Sequence, residues 1–470
     1  MKGNSAHNLS PVFMNAPSRH FYDLVVIGSH LAGLACAALV ARKGYKVLSL
    51  ETTPPYECQG HHLAYEPILL PNPRHSTLLA NFLEEMQLTS DFQRTAIPLS
   101  MQWVAPKQRL DFPASTEDNA AEWQKLLGEK NLPQLKTLAE FQNQSQNFLK
   151  TLPNLPPQGL LEGWSLRRQT RLFESPPQNW PQTNAWPSLQ LMANLSLGTQ
   201  ASPYALHHFT GLALLGFYGF YQGRQGFTEW VLRRMEQLGV DVVFPSQLTQ
   251  LSFDNKGCSL QLRGDSTVYR VRTALCAMDA QRFSRFLDNP QILKLPPPPP
   301  PSPQRLSLHW LLPQEALPYA LKEQILLPSF CLQNIPTAPP ERGAKEPLRV
   351  LTASSWLSET SQLEAQLQHM TQCLDELLPF ARQHLHLSSS PQVDAPQERL
   401  HETKLPCLPN NPEIDAGLGF CGELIESKRK SLLIANRQQL PGLGVEGELL
   451  LAFKTSKALE QQLLKKAPRH

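Results

Sequence analysis

The stretch from Tyr22 to Glu51 constrains this chain more than any other. Tyr22-Asp-Leu-Val-Val-Ile-Gly-Ser-His-Leu-Ala-Gly33 sets an apolar run, Leu24 to Ile27, against a turn with glycines at 28 and 33. A small-residue helical pattern follows, with Ala35, Ala38 and Ala41 on one face and Gly44 as its stop. Val47 to Leu50 is a second apolar run, and it ends on the acid Glu51. Strand, tight turn, helix, strand and terminal acid in this order form a dinucleotide-binding βαβ pattern. Gly28 takes the turn, Gly33 lets the helix approach the sheet, and Glu51 is placed to bind ribose hydroxyls.

The middle glycine of the fingerprint is His30. A ligand diphosphate packs against backbone N–H groups at the helix N-terminus, and a Cβ at this position intrudes on it. An imidazole that swings aside and protonates could instead pair with the phosphate, although the positive end of the helix dipole opposes its charging. The alternative is a Rossmann half that folds without a ligand.

At 470 residues the chain exceeds one ordinary core, so two domains or one large discontinuous domain are expected. Hydrophobic content of 41% indicates a globular protein, and 43 prolines indicate long irregular connections. The net charge of +3 comes without a basic stripe interleaved with aromatics, so no nucleic-acid partner is expected. Lys428-Arg429-Lys430 and Lys465-Lys466 read as solvated faces. The cysteines, Cys36, Cys58, Cys258, Cys276, Cys331, Cys373, Cys407 and Cys421, form no CxxC pair and have no histidine spacing suited to a metal. Reduced thiols, no metal centre and a cytoplasmic setting are the expectation.

The first twenty residues are polar, without the apolar core of a signal peptide, and read as a disordered leader. The most apolar stretch, Gly211-Leu-Ala-Leu-Leu-Gly-Phe-Tyr-Gly-Phe-Tyr221, falls short of the ~20 residues that span a bilayer. No transmembrane segment is expected; the stretch is a buried segment or the wall of an apolar pocket. A surface loop that dips into lipid, giving peripheral membrane contact, is the alternative. Oligomeric state leaves no mark in the sequence.

Residues 72–214 mix helical and strand signals with many prolines and read as an insertion. Gly223-Arg-Gln-Gly226 then leads into an amphipathic helix, Phe227 to Gly239, burying Phe227, Trp230, Val231, Met235 and Leu238. A strand Val240–Phe244 follows, then a meander of Leu248–Phe253, the turn Asp254-Asn-Lys-Gly257, Ser259–Leu262 and Tyr269–Ala274, and a further apolar strand Ala274–Ala277. The six prolines at 296–301 form a stiff connector that marks a crossing between domains. Arg305–Leu312 reads as a strand, and residues 358–378 as a helix with Leu363, Leu367, Met370, Leu374 and Leu377 on its core face. Near the end, Ser431-Leu-Leu-Ile-Ala-Asn436 is a strand, and Leu440-Pro-Gly-Leu-Gly-Val-Glu-Gly447 a glycine-rich turn opening a helix at about Glu448. Such a turn exposes N–H groups suited to an anionic or carbonyl-bearing ligand group.

Three blocks, in this order, resemble the FAD-dependent carotenoid (phytoene) desaturases and isomerases, close relatives of the flavin amine oxidases. They are the βαβ with Glu51, the block from Gly223-Arg-Gln-Gly226 through Gly239-Val240 to Cys276-Ala277-Met278-Asp279, and Pro441-Gly-Leu-Gly-Val-Glu-Gly447. The resemblance implies an α/β fold: a discontinuous Rossmann-like FAD/NAD(P)-binding domain, parallel sheet plus small antiparallel layer, from residues 21–75, 223–290 and 416–466. It implies an inserted α+β substrate domain from residues 76–222 and 291–415, and FAD as cofactor. Carried over by position, it puts Gly28, Ser29, His30, Gly33 and Glu51 around the adenosine half and diphosphate. Val243 or Val242 would meet the adenine side by backbone contacts, and Asn436, Gly444 and Val445 would lie by the ribityl chain and flavin ring.

Three departures fall where phosphate or ribityl contacts are implied. His30 replaces a glycine, the basic glycine-rich stretch after the acid is absent from Thr52 to His62, and Ala435-Asn436 replaces Gly-Asp. His61 and His62 are candidates to substitute for the missing arginine as donors. No spacing singles out a catalytic triad, carboxylate pair or nucleophile. Two functions follow: an FAD-dependent oxidoreductase acting on a hydrophobic, polyene-type small molecule in a channel lined by Leu212 to Tyr221, or a non-catalytic Rossmann-fold binding or scaffold protein with a degenerate cofactor site.

Overall fold

The computed structural model describes residues 20–50, 56–64, 66–105, 108–112, 122, 140, 143, 145–147, 149, 164, 186–198, 201–243, 248–255, 257–263, 265–295, 304–337, 348–357, 359–394 and 425–465. The leader, Glu51 and the prolines 296–301 lie outside the described residues.

Phe21–Ile27 (β1), Leu31–Arg42 (α1) and Val47–Leu50 (β2) form where the pattern places them. β1 lies between β2 and Val268–Cys276, parallel to both, and Asp241–Val243 extends the sheet beyond β2. Leu432–Ile434 joins in parallel along Val268–Cys276. Ile27 stands opposite Leu50 and Cys276, Leu50 opposite Val243, and Cys276 opposite Ile434, so five strands end level. In an open parallel sheet the ligand crevice lies beyond this carboxyl edge.

Val268–Cys276 is one strand where the sequence pattern suggested two. One edge pairs parallel with β1 from Arg270 to Cys276; on the other edge the first half pairs antiparallel with Cys258–Leu262, which pairs with Leu248–Phe253, and the second half parallel with Leu432–Ile434. The change of partner happens in the neighbouring strands, so nothing interrupts its own extended backbone. The parallel sheet and the small antiparallel layer are therefore one continuous surface. The fold is the expected Rossmann-like dinucleotide-binding α/β architecture.

Every residue of α1 from Leu31 to Ala41 is buried. A helix apolar on all sides needs cover on all sides, and α1 finds it in the sheet and in the helices Gly223–Gln237 and Gly444–Lys465. Its approach to the sheet is set by two glycines. A Cβ on Gly33 would meet Ala277 Cβ at 2.1 Å, and one on Gly28, whose φ is +107°, would meet the Ala277 carbonyl oxygen at 2.4 Å.

A second sheet runs in the order Leu387–Ser389, Gln304–Pro313, Leu348–Leu357, Cys331–Pro336, Gln324–Leu326, Met101–Ala105, Gln108–Phe112. All its pairings are antiparallel except that of Gln324–Leu326 with Met101–Ala105. Leu306, Leu308, Trp310 and Leu312 pack with Met370 and Leu374 of the helix Leu363–Leu377. The helices Trp186–Leu197 and Pro203–Leu215 pack with Trp103, Leu326 and Ile335. The segment Gly211–Tyr221 is the end of the helix Pro203–Leu215 followed by the strand Phe217–Gly219, with Leu212, Phe217 and Phe220 buried. Leu215, Tyr218 and Tyr221 of the same segment are half-buried. Among the described residues no helix is long and apolar enough to cross a membrane.

Replacing Gly33 by alanine should destabilise the protein by about 1–3 kcal/mol through overpacking against Ala277. Adding Ala277→Gly should recover part of that loss. Urea unfolding of the four chains of this cycle checks it: simple additivity would show that α1 does not rest on Ala277.

Candidate functional site

His30 is the N-cap of α1, in extended conformation, and its N–H donates to the Ala277 carbonyl at 2.8 Å. Its own carbonyl accepts from the N–H groups of Gly33 (3.0 Å) and Leu34 (3.2 Å). The N–H groups of Leu31 and Ala32, in the first turn, have no intrahelical acceptor and point out of the helix mouth. His30 Nδ1 is shielded from solvent and has no hydrogen-bond partner among the described residues. Burial, with the charges of Arg437 and Arg224, drives its pKa well below the ordinary histidine value, so the ring is neutral.

Beside this mouth lies Glu66. Its carboxylate accepts from Arg305 Nη1 at 2.7 Å and Arg437 Nη1 at 3.0 Å, and pairs with the Arg224 guanidinium. Arg224 also pairs with Glu448. Burial by itself would raise the Glu66 pKa, but the guanidinium groups of Arg437, Arg224 and Arg305 outweigh it and hold the pKa near about 2. The cations respond differently. Burial lowers the Arg305 pKa, against the single carboxylate of Glu66, whereas Arg224 has both Glu448 and Glu66 and its pKa rises. Arg305 Nε and Glu448 Oε2 are buried without a hydrogen-bond partner among the described residues.

The backbone holds Glu66 in place. Gly223 has φ +58°, and a Cβ there would meet the Glu66 carbonyl oxygen at 2.2 Å. That carbonyl accepts from the Arg224 N–H at 3.2 Å. The helix Gly223–Gln237 thus starts four residues before its expected start and brings Arg224 into the site.

The C-terminal helix also begins earlier than expected, at Gly444, because the 3₁₀ turn Pro441–Leu443 feeds directly into it. This puts Glu446 in its first turn. Glu446 accepts from His208 Nε2 at 2.6 Å, Ser76 Oγ at 2.5 Å and Gln146 Nε2 at 2.9 Å. His208 Nδ1 is hydrogen-bonded to Ser145 Oγ at 2.8 Å, and Ser145 Oγ to Tyr204 OH at 2.6 Å. Burial would raise the Glu446 pKa, but hydrogen bonding and charge from His208, helped by Ser76 and Gln146, bring it below the ordinary value.

Between the two clusters is a cavity with about 480 Å³ of unfilled space, part of it open to solvent. Glu66, Arg224 and Arg305 line one part, His208 and Glu446 another, and Gly444 and Val445 the floor beside apolar side chains such as Ile68, Leu212 and Phe217.

Of the residues marked in the sequence, Gly28, Ser29, His30, Gly33 and Val243 meet at the carboxyl edge. Gly28 N–H donates to the Leu50 carbonyl at 2.9 Å, and Val243 stands opposite Leu50. Asn436 reaches the same edge, but its Nδ2 donates to the Met278 carbonyl at 2.9 Å and its Oδ1 accepts from Gln438 N–H at 3.2 Å. It joins the strand end to the neighbouring turn. His61 and His62 lie on the hairpin Tyr56–Cys58/His61–Leu63, and His62 is the charge neighbour of Glu229. The charged groups around His30 include the guanidinium groups of Arg437, Arg224 and Arg282. Sequence reading passed over Glu66, Arg224, Arg305, Arg437, His208 and Glu446. Arg224 and Glu446 sit inside quoted glycine-rich motifs, whereas Glu66, Arg305 and His208 carry no local signal.

The fold, with a sheet of discontinuous segments and a second sheet beside it, is similar to that of several solved oxidoreductases. Cyclohexylamine oxidase from Brevibacterium oxydans IH-35A has this fold at TM-score 0.57, with 14% identity over 94% of this chain and 99% of that one. An oxidoreductase from Methanosarcina mazei matches at TM-score 0.57, with 15% identity over 93% of this chain and 100% of its own. Putrescine oxidase, in its wild-type form bound to putrescine, matches at 0.54, with 12% identity over 94% and 99%. No family model matches the sequence, and no curated protein matches it.

The Glu446 brace has a definite pH sign. A carboxylate whose folded pKa is lowered adds stability that is complete above its unfolded value of about 4.3 and disappears as the pH falls through the folded value. Glu446→Gln should cost about 3 kcal/mol at pH 6, and its difference from wild type should shrink below about pH 4. Denaturant titrations across this range test it; a difference that stays constant would assign the loss to packing.

Proposed function

We propose that this chain is an FAD-dependent oxidoreductase acting on a hydrophobic substrate. The observation that carries the reading is the mouth of α1. Outward N–H groups, an unpartnered imidazole nitrogen and the guanidinium groups that hold Glu66 meet there at the carboxyl edge of the sheet. Buried polar atoms seek partners, and these suit a diphosphate.

FAD, when bound, supplies a hydride acceptor for an unactivated C–H bond. The chain's residues would hold and enclose it. Leu31 and Ala32 N–H, His30, Arg224 and Arg437 would take the diphosphate, the Val243 backbone the adenine side, and Gly444 and Val445 the ribityl and ring end. Ile68, Leu212 and Phe217 would keep water from the reacting carbon. This apolar wall supports a hydrophobic substrate, and the resemblance to carotenoid desaturases supports a polyene. The discontinuous domain boundaries read from the sequence belong to the same proposal.

The second reading, a non-catalytic scaffold, is favoured by one observation: Asn436 is committed to Met278 and Gln438.

Purified protein separates the two. The enzyme reading expects a yellow preparation that releases FAD on denaturation, with added FAD stabilising by about 2.7 kcal/mol at a hundredfold excess over Kd. A colourless protein whose melting temperature FAD leaves unmoved sinks it. His30→Gly should weaken FAD binding by about tenfold, as expected when a buried hydrogen bond is lost. Tighter binding by the glycine variant would mean that the imidazole obstructs the mouth.

A further inference from the structure

Arg224, Arg305 and Arg437 come from a helix start, a strand of the second sheet and the loop after Leu432–Ile434, yet all three reach one carboxylate. Among the described residues Glu66 pairs with all three guanidinium groups, and Glu448 pairs with Arg224 as well. Arg224 and Arg437 lie within electrostatic reach of His30 at the mouth of α1. A guanidinium presents five donors in a planar fork and can serve two anions at once. The unpartnered Arg305 Nε is such a spare donor.

We propose that Glu66 is a built-in competitor for a dinucleotide diphosphate: its carboxylate and the ligand's phosphates draw on the same arginines, and Glu66 thereby sets the affinity of the site. The proposal rests on the reading of the α1 mouth as a dinucleotide site. The Glu66 backbone is fixed by Gly223 and the Arg224 N–H, so the exchange involves side-chain torsions of Glu66 and the arginines. A carboxylate among the arginines repels an incoming phosphate, while the guanidinium groups attract it. The same carboxylate keeps buried guanidinium groups from lying unpaired. Affinity and stability are therefore set against each other at one residue.

The test titrates the full chain with inorganic pyrophosphate and, separately, with FAD by calorimetry, in wild type, Glu66→Gln and Glu66→Asp. Glu66→Gln should bind pyrophosphate at least tenfold more tightly, about 1.4 kcal/mol. Glu66→Asp, which withdraws the charge by one methylene and remains the usable variant if the first does not fold, should show a smaller gain. Unchanged or weaker pyrophosphate binding in the variants overturns the proposal, because Glu66 would then only position the arginines. Absence of pyrophosphate binding in every chain overturns it as well. FAD bound equally by wild type and variants removes the proposal and leaves the flavoprotein reading intact. Tighter pyrophosphate binding with no FAD binding in any chain removes the flavoprotein reading and leaves Glu66 as the competitor.

Discussion

A carboxylate taken out of water must be surrounded by donors and positive charge or give up its own charge. Glu66 answers that constraint with Arg224, Arg305 and Arg437, three residues widely separated in sequence. Arg305 belongs to the strand Gln304–Pro313 of the second sheet, and Arg437 follows a strand of the first. The position of one carboxylate therefore couples the two sheets, and the cavity between them takes its charged wall from the same contacts. Replacing these charges by apolar groups could give an equally stable joint. What an apolar joint would lack is a set of donors beside the helix mouth.

The βαβ unit was legible because its determinants are local. The spacing of Gly28 and Gly33 is read within a single turn, although the neighbour they make room for, Ala277, is distant in sequence, and the small side chains of α1 announce a helix covered on all sides. The meander was legible from period-two alternation, and the turn from Asp254, which accepts from Gly257 N–H at 2.8 Å. The site was legible only in outline. Along Gln304–Pro313 the residues Leu306, Leu308, Trp310 and Leu312 give the alternation of a strand with one wet face. Its other face is equally buried, however, and carries Arg305, Ser307 and His309. Periodicity reports which side chains share a face, not whether a polar face meets water or a buried carboxylate. Glu66 was invisible for the same reason: its role comes from three partners hundreds of residues away.

The sequence offered two glycine-rich turns as ligand sites, and their electrostatics separate them. The first turn of α1 carries no acidic residue, and around His30 stand Arg437, Arg224 and Arg282 with the carboxylate of Glu66. The first turn of the C-terminal helix contains Glu446, with Glu448 just beyond. A carboxylate near a helix N-terminus is itself the favourable partner of the positive dipole end. Glu446, further held by His208, Ser76 and Gln146, already fills that role. An added anion would meet like charge there and the guanidinium groups around Glu66 at α1. Of the two helix mouths, that of α1 is the more favourable to an anion. The Gly444–Val445 turn, lining a cavity with apolar walls, suits a ligand portion that carries dipoles and no full charge.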